Sequence, residues 1–264
     1  MDFTVERYGE LMRALKGAGY RFQSVGEFVE APLPGKVVVL RHDVDDDAER
    51  YLRTAVIEHE LGIHAVYYFR AIPCSWKVDI IRQIAAMGHE VGYHYESLTT
   101  TGGDMEAAYA DFCHNLAELR KLVPVKTICM HGSASSPHDS KDIWHHYNYR
   151  DLGIIAEPYF DLDFNELFYL TDTGRRWDGF KVSVRDKIPE HQERWNANGW
   201  VYRHTGDIIA AAKAGTLPER IHMTVHSGRW TVGLRPWLYQ LVMQRTKNVV
   251  KRALIAYRRA RGQH

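Results

Sequence analysis

Apolar and polar positions along the 264-residue chain fall into two alternating rhythms. Short continuous apolar runs read as buried strands. Longer stretches with an apolar residue every third or fourth position read as helices with one dry face. The first kind comprises KVVVL (36–40), HAVYYFR (64–70), the stretch around Val91, VKTICM (125–130), LFYLTD (167–172) and IHMTVH (221–226). The second comprises the opening MDFTVERYGELMRALKGAGY, residues 46–61, WKVDIIRQIAAM (76–87), residues 105–122 and residues 206–214. Acidic residues open 46–61, as suits a helix N-terminus. Gly88 stops the 76–87 helix and Pro124 closes the next one.

Strands alternating with helices predict βαβ units and a mainly parallel sheet, so an α/β fold. Residues 132–166 are polar and turn-rich and predict long loops. No repeat, low-complexity tract or linker is present. A single domain over 1–264 is expected, with 235–264 as an appended basic amphipathic C-terminal helix.

Composition narrows the class. A hydrophobic fraction of 45% and a charged fraction of 25% are ordinary for a globular chain with one sizeable core. The absence of an 18-residue apolar run predicts no spanning helix. The opening lacks the basic-then-apolar order of a signal peptide. Cys74, Cys113 and Cys129 are widely spaced and odd in number, which predicts reduced thiols and a cytoplasmic location. Charge is uneven. After Glu219 there are ten Lys and Arg and no acid, leaving 24 basic against 33 acidic residues, a net of −9, on 1–219. The basic end suits phosphates or acidic lipid headgroups, or is a solvated helix face. It carries no nucleic-acid motif.

Four polar clusters lie at or near strand ends: Arg41-His42-Asp43-Val44-Asp45, His89 through Glu96, His131-Gly132-Ser133, and His226-Ser227-Gly228-Arg229-Trp230. In parallel α/β folds the C-terminal strand ends are where ligands bind. Asp43 and Asp45 are two apart, so an extended backbone turns both carboxylates to one face. Two such charges repel unless a proton or a cation lies between them. One Asp can ligate a divalent metal while the other takes a proton from water. Asp46 and Asp47 are better read as the start of the next helix. His94 and Glu96 repeat the two-residue spacing with donors that suit zinc, and His89 could support them. His226 can protonate a leaving amine. Arg229 and Trp230 are candidate substrate contacts, or, for Trp230, core.

These residues resemble the polysaccharide deacetylases, the NodB-homology group or carbohydrate esterase family 4. LRHDVD (40–45), GHEVGYH (88–94) and HMTVHSGRW (222–230) match that family's acidic dyad, Gly-His-Glu-(Ile/Val)-Gly-x-His segment and late histidine in order and spacing. The similarity runs from about Val37 to Trp230. It implies an irregular (β/α) barrel and metal-dependent hydrolysis of an N-acetyl, or less often O-acetyl, group on a sugar. Carried over, Asp43 is the general base, Asp45 and His94 are metal ligands, and His226 is the general acid. Two positions depart. Leu98 stands where a second metal histidine follows the first by four residues, and Met130-His131-Gly132-Ser133 replaces an Arg-Pro-Pro motif. His131 is the first candidate for the third ligand and Glu96 the second, while Arg41 and His42 could orient or tune the dyad, and Arg41 is also a candidate substrate contact. The departures suggest a branch acting on small activated sugars, nucleotide- or lipid-linked, in surface-polysaccharide or lipopolysaccharide O-antigen biosynthesis. Trp237, Leu238, Leu241, Val242 and Arg245 would suit a helix lying on the inner membrane face, or one packed on the domain. Competing expectations are a deformylase or cyclic amide hydrolase, a catalytically silent sugar-binding module, and an HD-type phosphohydrolase built on His42-Asp43.

Overall fold

Among the described residues seven strands, all paired in parallel, form the sheet: β1 (Arg21–Gln23), β2 (Val37–Val44), β3 (Val66–Phe69), β4 (Glu90–Tyr95), β5 (Ile128–Met130), β6 (Phe168–Thr171) and β7 (Arg220–Val225). The computed structural model describes residues 1–133, 136–181, 183 and 187–260, with the backbone alone at 181 and 250–260. The strand order is β5-β4-β3-β2-β7-β6, with β1 added beside β2. The sheet curls into a half-barrel. Residues 154–156 hydrogen-bond to the start of β5, through Ile128 N–H to Ala156 O at 3.1 Å and Ile155 N–H to Lys126 O at 2.8 Å. Among the described residues β5 and β6 do not pair, so the barrel is open on that side. The α/β class, the parallel sheet and the barrel-like curvature thus agree with the sequence.

The helices are α1 (Val5–Gly17), α2 (Val25–Glu30), α3 (Ala48–Glu60), α4 (Val78–Ala86), α5 (Ser97–Thr100), α6 (Met105–Arg120), α7 (Pro158–Asp161), α8 (Pro189–Ala197), α9 (Thr205–Ala214) and α10 (Leu234–Ala260). Asp47 caps α3, accepting from Glu49 N–H at 3.4 Å, and Gly88 takes φ 90° where α4 ends, as the pattern predicted. β1, α2 and α8 were not anticipated. β1 has three residues and no apolar run, so periodicity cannot register it.

All eight positions of β2 are buried, because both of its faces are covered. Arg41 and Asp43 turn to the face that carries the site. His42 turns to the other, where its Nε2 meets Glu58 of α3 at 2.8 Å. Glu58 is fully buried and also accepts from the hydroxyls of Tyr67, at 2.8 Å, and Tyr8. Burial pushes this carboxyl up, but His42 and the hydrogen bonds outweigh it and hold it below its ordinary value. The network clamps α1 and α3 behind the central strands. It also separates His42 from Asp43. Neighbours on a strand point to opposite faces, so the pair cannot share a metal in the HD-phosphohydrolase manner.

α10 lies against the domain by its first half. Trp237 Nε1 donates to Asp2 O at 2.5 Å, and Asn248 Nδ2 to Gly174 O at 2.9 Å. Trp237 is therefore turned to the protein, whereas Leu238, Tyr239, Val242 and Val249 are exposed. This divides the expected membrane-facing set. The basic side chains of Lys251, Arg252, Arg258 and Arg259, and Arg261 as a whole, lie outside the described residues. Among the described residues no helix is long and apolar enough to cross a membrane.

Candidate active site

Four strand ends converge on the acidic pair of β2. His94 ends the alternation of β4. His131 follows β5, oriented by its own N–H donating to Tyr95 O at 2.8 Å. His226 follows β7. Each imidazole is anchored through Nδ1, to Cys129 O at 2.8 Å for His94, Glu96 Oε2 at 3.0 Å for His131 and Asp172 Oδ1 at 2.7 Å for His226. A carbonyl or carboxylate only accepts, so each Nδ1 carries the proton. Each Nε2 then faces the dyad. His94 Nε2 lies 3.4 Å and His131 Nε2 3.5 Å from Asp45 Oδ1, while His226 Nε2 lies 3.7 Å from Asp45 Oδ2 and 3.8 Å from Asp43 Oδ2.

These separations are too long for hydrogen bonds, and Asp45 Oδ1 is buried without a partner. They match a different geometry. Donors bound tetrahedrally to one ion at about 2.0–2.1 Å stand about 3.3–3.4 Å apart. Imidazoles held through Nδ1 by a carbonyl and a carboxylate are the usual supports of metal-binding Nε2 atoms. The donor set of Asp45, His94 and His131 therefore suits a divalent cation such as zinc. Among the described residues no group of three His, Cys, Asp or Glu is arranged as it stands to hold a metal ion. The two donor pairs are the observation on which a metal rests.

Arg41 is 1% exposed and grips both oxygens of Asp43, Nε to Oδ1 at 2.6 Å and Nη2 to Oδ2 at 2.7 Å. Burial would raise the Asp43 carboxyl, but Arg41, His94 and His226 together hold it down at about 2. Burial likewise opposes, and His131, His94 and His226 overcome, so that Asp45 sits well below the ordinary carboxylate range. Both are ionised at neutral pH. Arg41 thus faces a carboxylate and not a substrate, with Tyr159 stacked 5.3 Å above its guanidinium.

Glu96 is not turned to Asp45. It accepts from His131 Nδ1 and, through Oε1, from Arg70 Nε at 3.0 Å and Nη2 at 2.5 Å. Arg70 Nη1 also donates to Asp45 O at 3.1 Å, fixing the dyad backbone. Leu98 packs with Ala108 and Ile143 in a small apolar cluster, so its position offers the site nothing. His89 lies with Glu58, its Nε2 bonded to Ala55 O at 3.1 Å, and does not support His94. Trp230 is buried against Phe3 and Tyr8 and donates to Asp172 Oδ2 at 2.8 Å. Arg229 Nη1 reaches Asp172 Oδ1, also at 2.8 Å. Neither is placed as a free substrate contact; both hold Asp172.

No protein-family model matches this chain, and no curated protein matches it. Its function must be argued from these residues.

Asp172, Arg70 and Glu58 were missed by sequence reasoning. Asp172 ends the run LFYLTD, so the strand-end logic applied to the four other clusters could have found it. It is fully buried and accepts four hydrogen-bonding groups, from His226 N–H and Nδ1, Arg229 and Trp230. Burial and Arg229 push the His226 imidazole down, but Asp172 and Asp45 raise it above its ordinary value. Asp172→Asn removes the main raising charge. The alkaline limb of activity should move to lower pH by about 1–3 units, and turnover at neutral pH should fall about 10²-fold. An unchanged pH–rate profile would remove His226 as the acid.

Proposed function

We propose that this chain is a metal-dependent hydrolase of the polysaccharide deacetylase type. It removes an N-acetyl or related acyl group from a sugar on a phosphate-bearing carrier, in the assembly of a surface polysaccharide such as O-antigen. The observation that carries this is Asp45 Oδ1, buried without a hydrogen-bond partner, with two anchored Nε2 atoms at tetrahedral-edge distance. On either side stand a clamped carboxylate and a carboxylate-backed histidine. The open parallel half-barrel supports the same reading, since the site lies at the C-terminal strand ends.

Asp45, His94 and His131 would hold the cation, which would supply Lewis acidity towards an acyl oxygen and towards water. The remaining work falls to the chain. Asp43 accepts the proton of the attacking water, and the Arg41 fork fixes both of its oxygens so that no rotamer search precedes transfer. His226, charged through its contact with Asp172, delivers a proton to the leaving amine nitrogen. Asp45, at 29% side-chain exposure, is the open member of the dyad, against 6% for Asp43, so substrate approaches over Asp45.

Two measurements test this together. Purified protein should contain one zinc or similar ion per chain by elemental analysis, and should release acetate from an N-acetylated amino-sugar phosphate. Release of formate from the N-formyl analogue alone would move the activity to a deformylase. Protein that takes up no metal under any condition would be a sugar-binding module, and the proposal fails.

A further inference from the structure

A cluster of arginines lies away from the dyad, where α10 crosses the turn after β6. A cavity of about 480 Å³ opens there, lined by Arg175, Arg203, His204, Trp237 and Arg245, with Arg176 at its edge. Arg176 is taken by Asp178, at 2.5 and 2.6 Å. His204 Nδ1 lies 3.6 Å from Asp2 Oδ2. Among the described residues no carboxylate lies within ion-pair distance of Arg175, Arg203 or Arg245. Among the described residues of the lining Asp2 is the one acid; its oxygens accept from Phe3 N–H at 2.9 Å and Thr205 N–H at 3.1 Å, and it leaves the three arginines with a single counter-charge nearby.

Arg175 is set in place unusually firmly. Its guanidinium lies 5.6 Å from the ring centroids of both Phe3 and Trp237. Nη1 donates to Trp237 O at 3.2 Å, and Nε is buried with no acceptor. Its backbone takes φ 53°, a left-handed conformation that a non-glycine residue adopts only under constraint. An arginine set between two aromatic rings with an unsatisfied Nε, and two exposed arginines beside it, make a receptor suited to oxyanions. Forked guanidiniums bind phosphate oxygens in pairs.

We infer that this cavity binds a phosphate or diphosphate group, supplied by a soluble nucleotide-like ligand or by a lipid headgroup. The cavity and the catalytic acid share one turn. Arg175 N–H donates to Asp172 O at 3.0 Å, and Asp172 backs His226. An anion held there is one short turn from the group that holds the proton donor. Its assignment to the carrier of a sugar substrate rests on the deacetylase proposal; the binding itself does not.

The test is calorimetric titration of inorganic pyrophosphate into the full chain, with no turnover involved. Wild type should bind saturably, and R203E/R245E about tenfold or more weakly. R203K/R245K should fall between, since lysine keeps charge without the fork. Both positions are exposed, so the melting temperature should not move. A second arm uses vesicles of phosphatidylcholine with phosphatidic acid. Vesicle binding that pyrophosphate displaces and R203E/R245E abolishes assigns the phosphate to a lipid. Pyrophosphate binding with no vesicle binding assigns it to a soluble ligand. No pyrophosphate binding by wild type, or equal binding by R203E/R245E, overturns the site. Either result leaves the metal and acetate measurements free to succeed or fail alone.

Discussion

Asp45→Ala protein purified with added zinc is expected to hold no stoichiometric metal and to lose turnover by about 10³-fold or more. Asp45 Oδ1 is the atom common to both donor pairs, to His94 and to His131. Without it two neutral imidazoles remain, and their lone pairs cannot neutralise a divalent ion. Asp45 is also the most exposed member of the dyad, so its removal leaves the core packing intact and the melting temperature close to wild type. Glu96→Ala gives a graded comparison. If Glu96 only orients His131, metal affinity should drop about 10–100-fold and turnover should return at high zinc. Full loss in Glu96→Ala together with retained metal in Asp45→Ala would reverse their roles.

The second large effect is on proton transfer. Asp43→Asn should keep its metal but lower turnover by about 10²–10⁴-fold. The amide fills the same space and still accepts one bond from Arg41, but it cannot take the proton of water. There is a stability consequence. Arg41 is 1% exposed and loses its counter-charge, which costs about 3–5 kcal/mol when one partner of a buried pair is removed. Rates should therefore be compared well below the lowered melting temperature. Near-wild-type turnover in folded, metal-loaded Asp43→Asn protein would exclude Asp43 as the base.

Much of this site was legible because extended backbone has a period of two. Asp43 with Asp45, and the placement of His94, His131 and His226 after apolar runs, follow from alternation and strand ends alone. Partnership across strands did not follow. Whether Glu96 would reach Asp45 or His131 depends on the β4–β5 register, in which His94 pairs with Cys129 and Tyr95 with Met130. The sequence leaves Trp230 open between a substrate contact and core, since an aromatic residue beside a site suits either. Its burial against Phe3 comes from the N-terminus folding back, a contact that no local pattern encodes. Glu58 sits among polar residues of an amphipathic helix, and only the tertiary fold reveals that it is fully buried. Asp172 follows β6 as the other site residues follow their strands, but only threonines flank it, so no second charged residue or histidine marked the position.

The three proposed donor side chains lie on or just after β2, β4 and β5, and the proposed proton donor just after β7, on the other side of β2. No contiguous fragment can therefore hold whatever binds between them. β5 is three residues long, and a slip of one residue against β4 would turn His131 away from Asp45. The loop closures that bring these strands together return nothing at the site until the last register is set. Affinity for the proposed cation would thus be a gauge of strand alignment. A chain with a misregistered edge would be recognisable by its failure to retain metal while its helices are still formed, and a bound cation would in turn shift the equilibrium towards the one correct alignment.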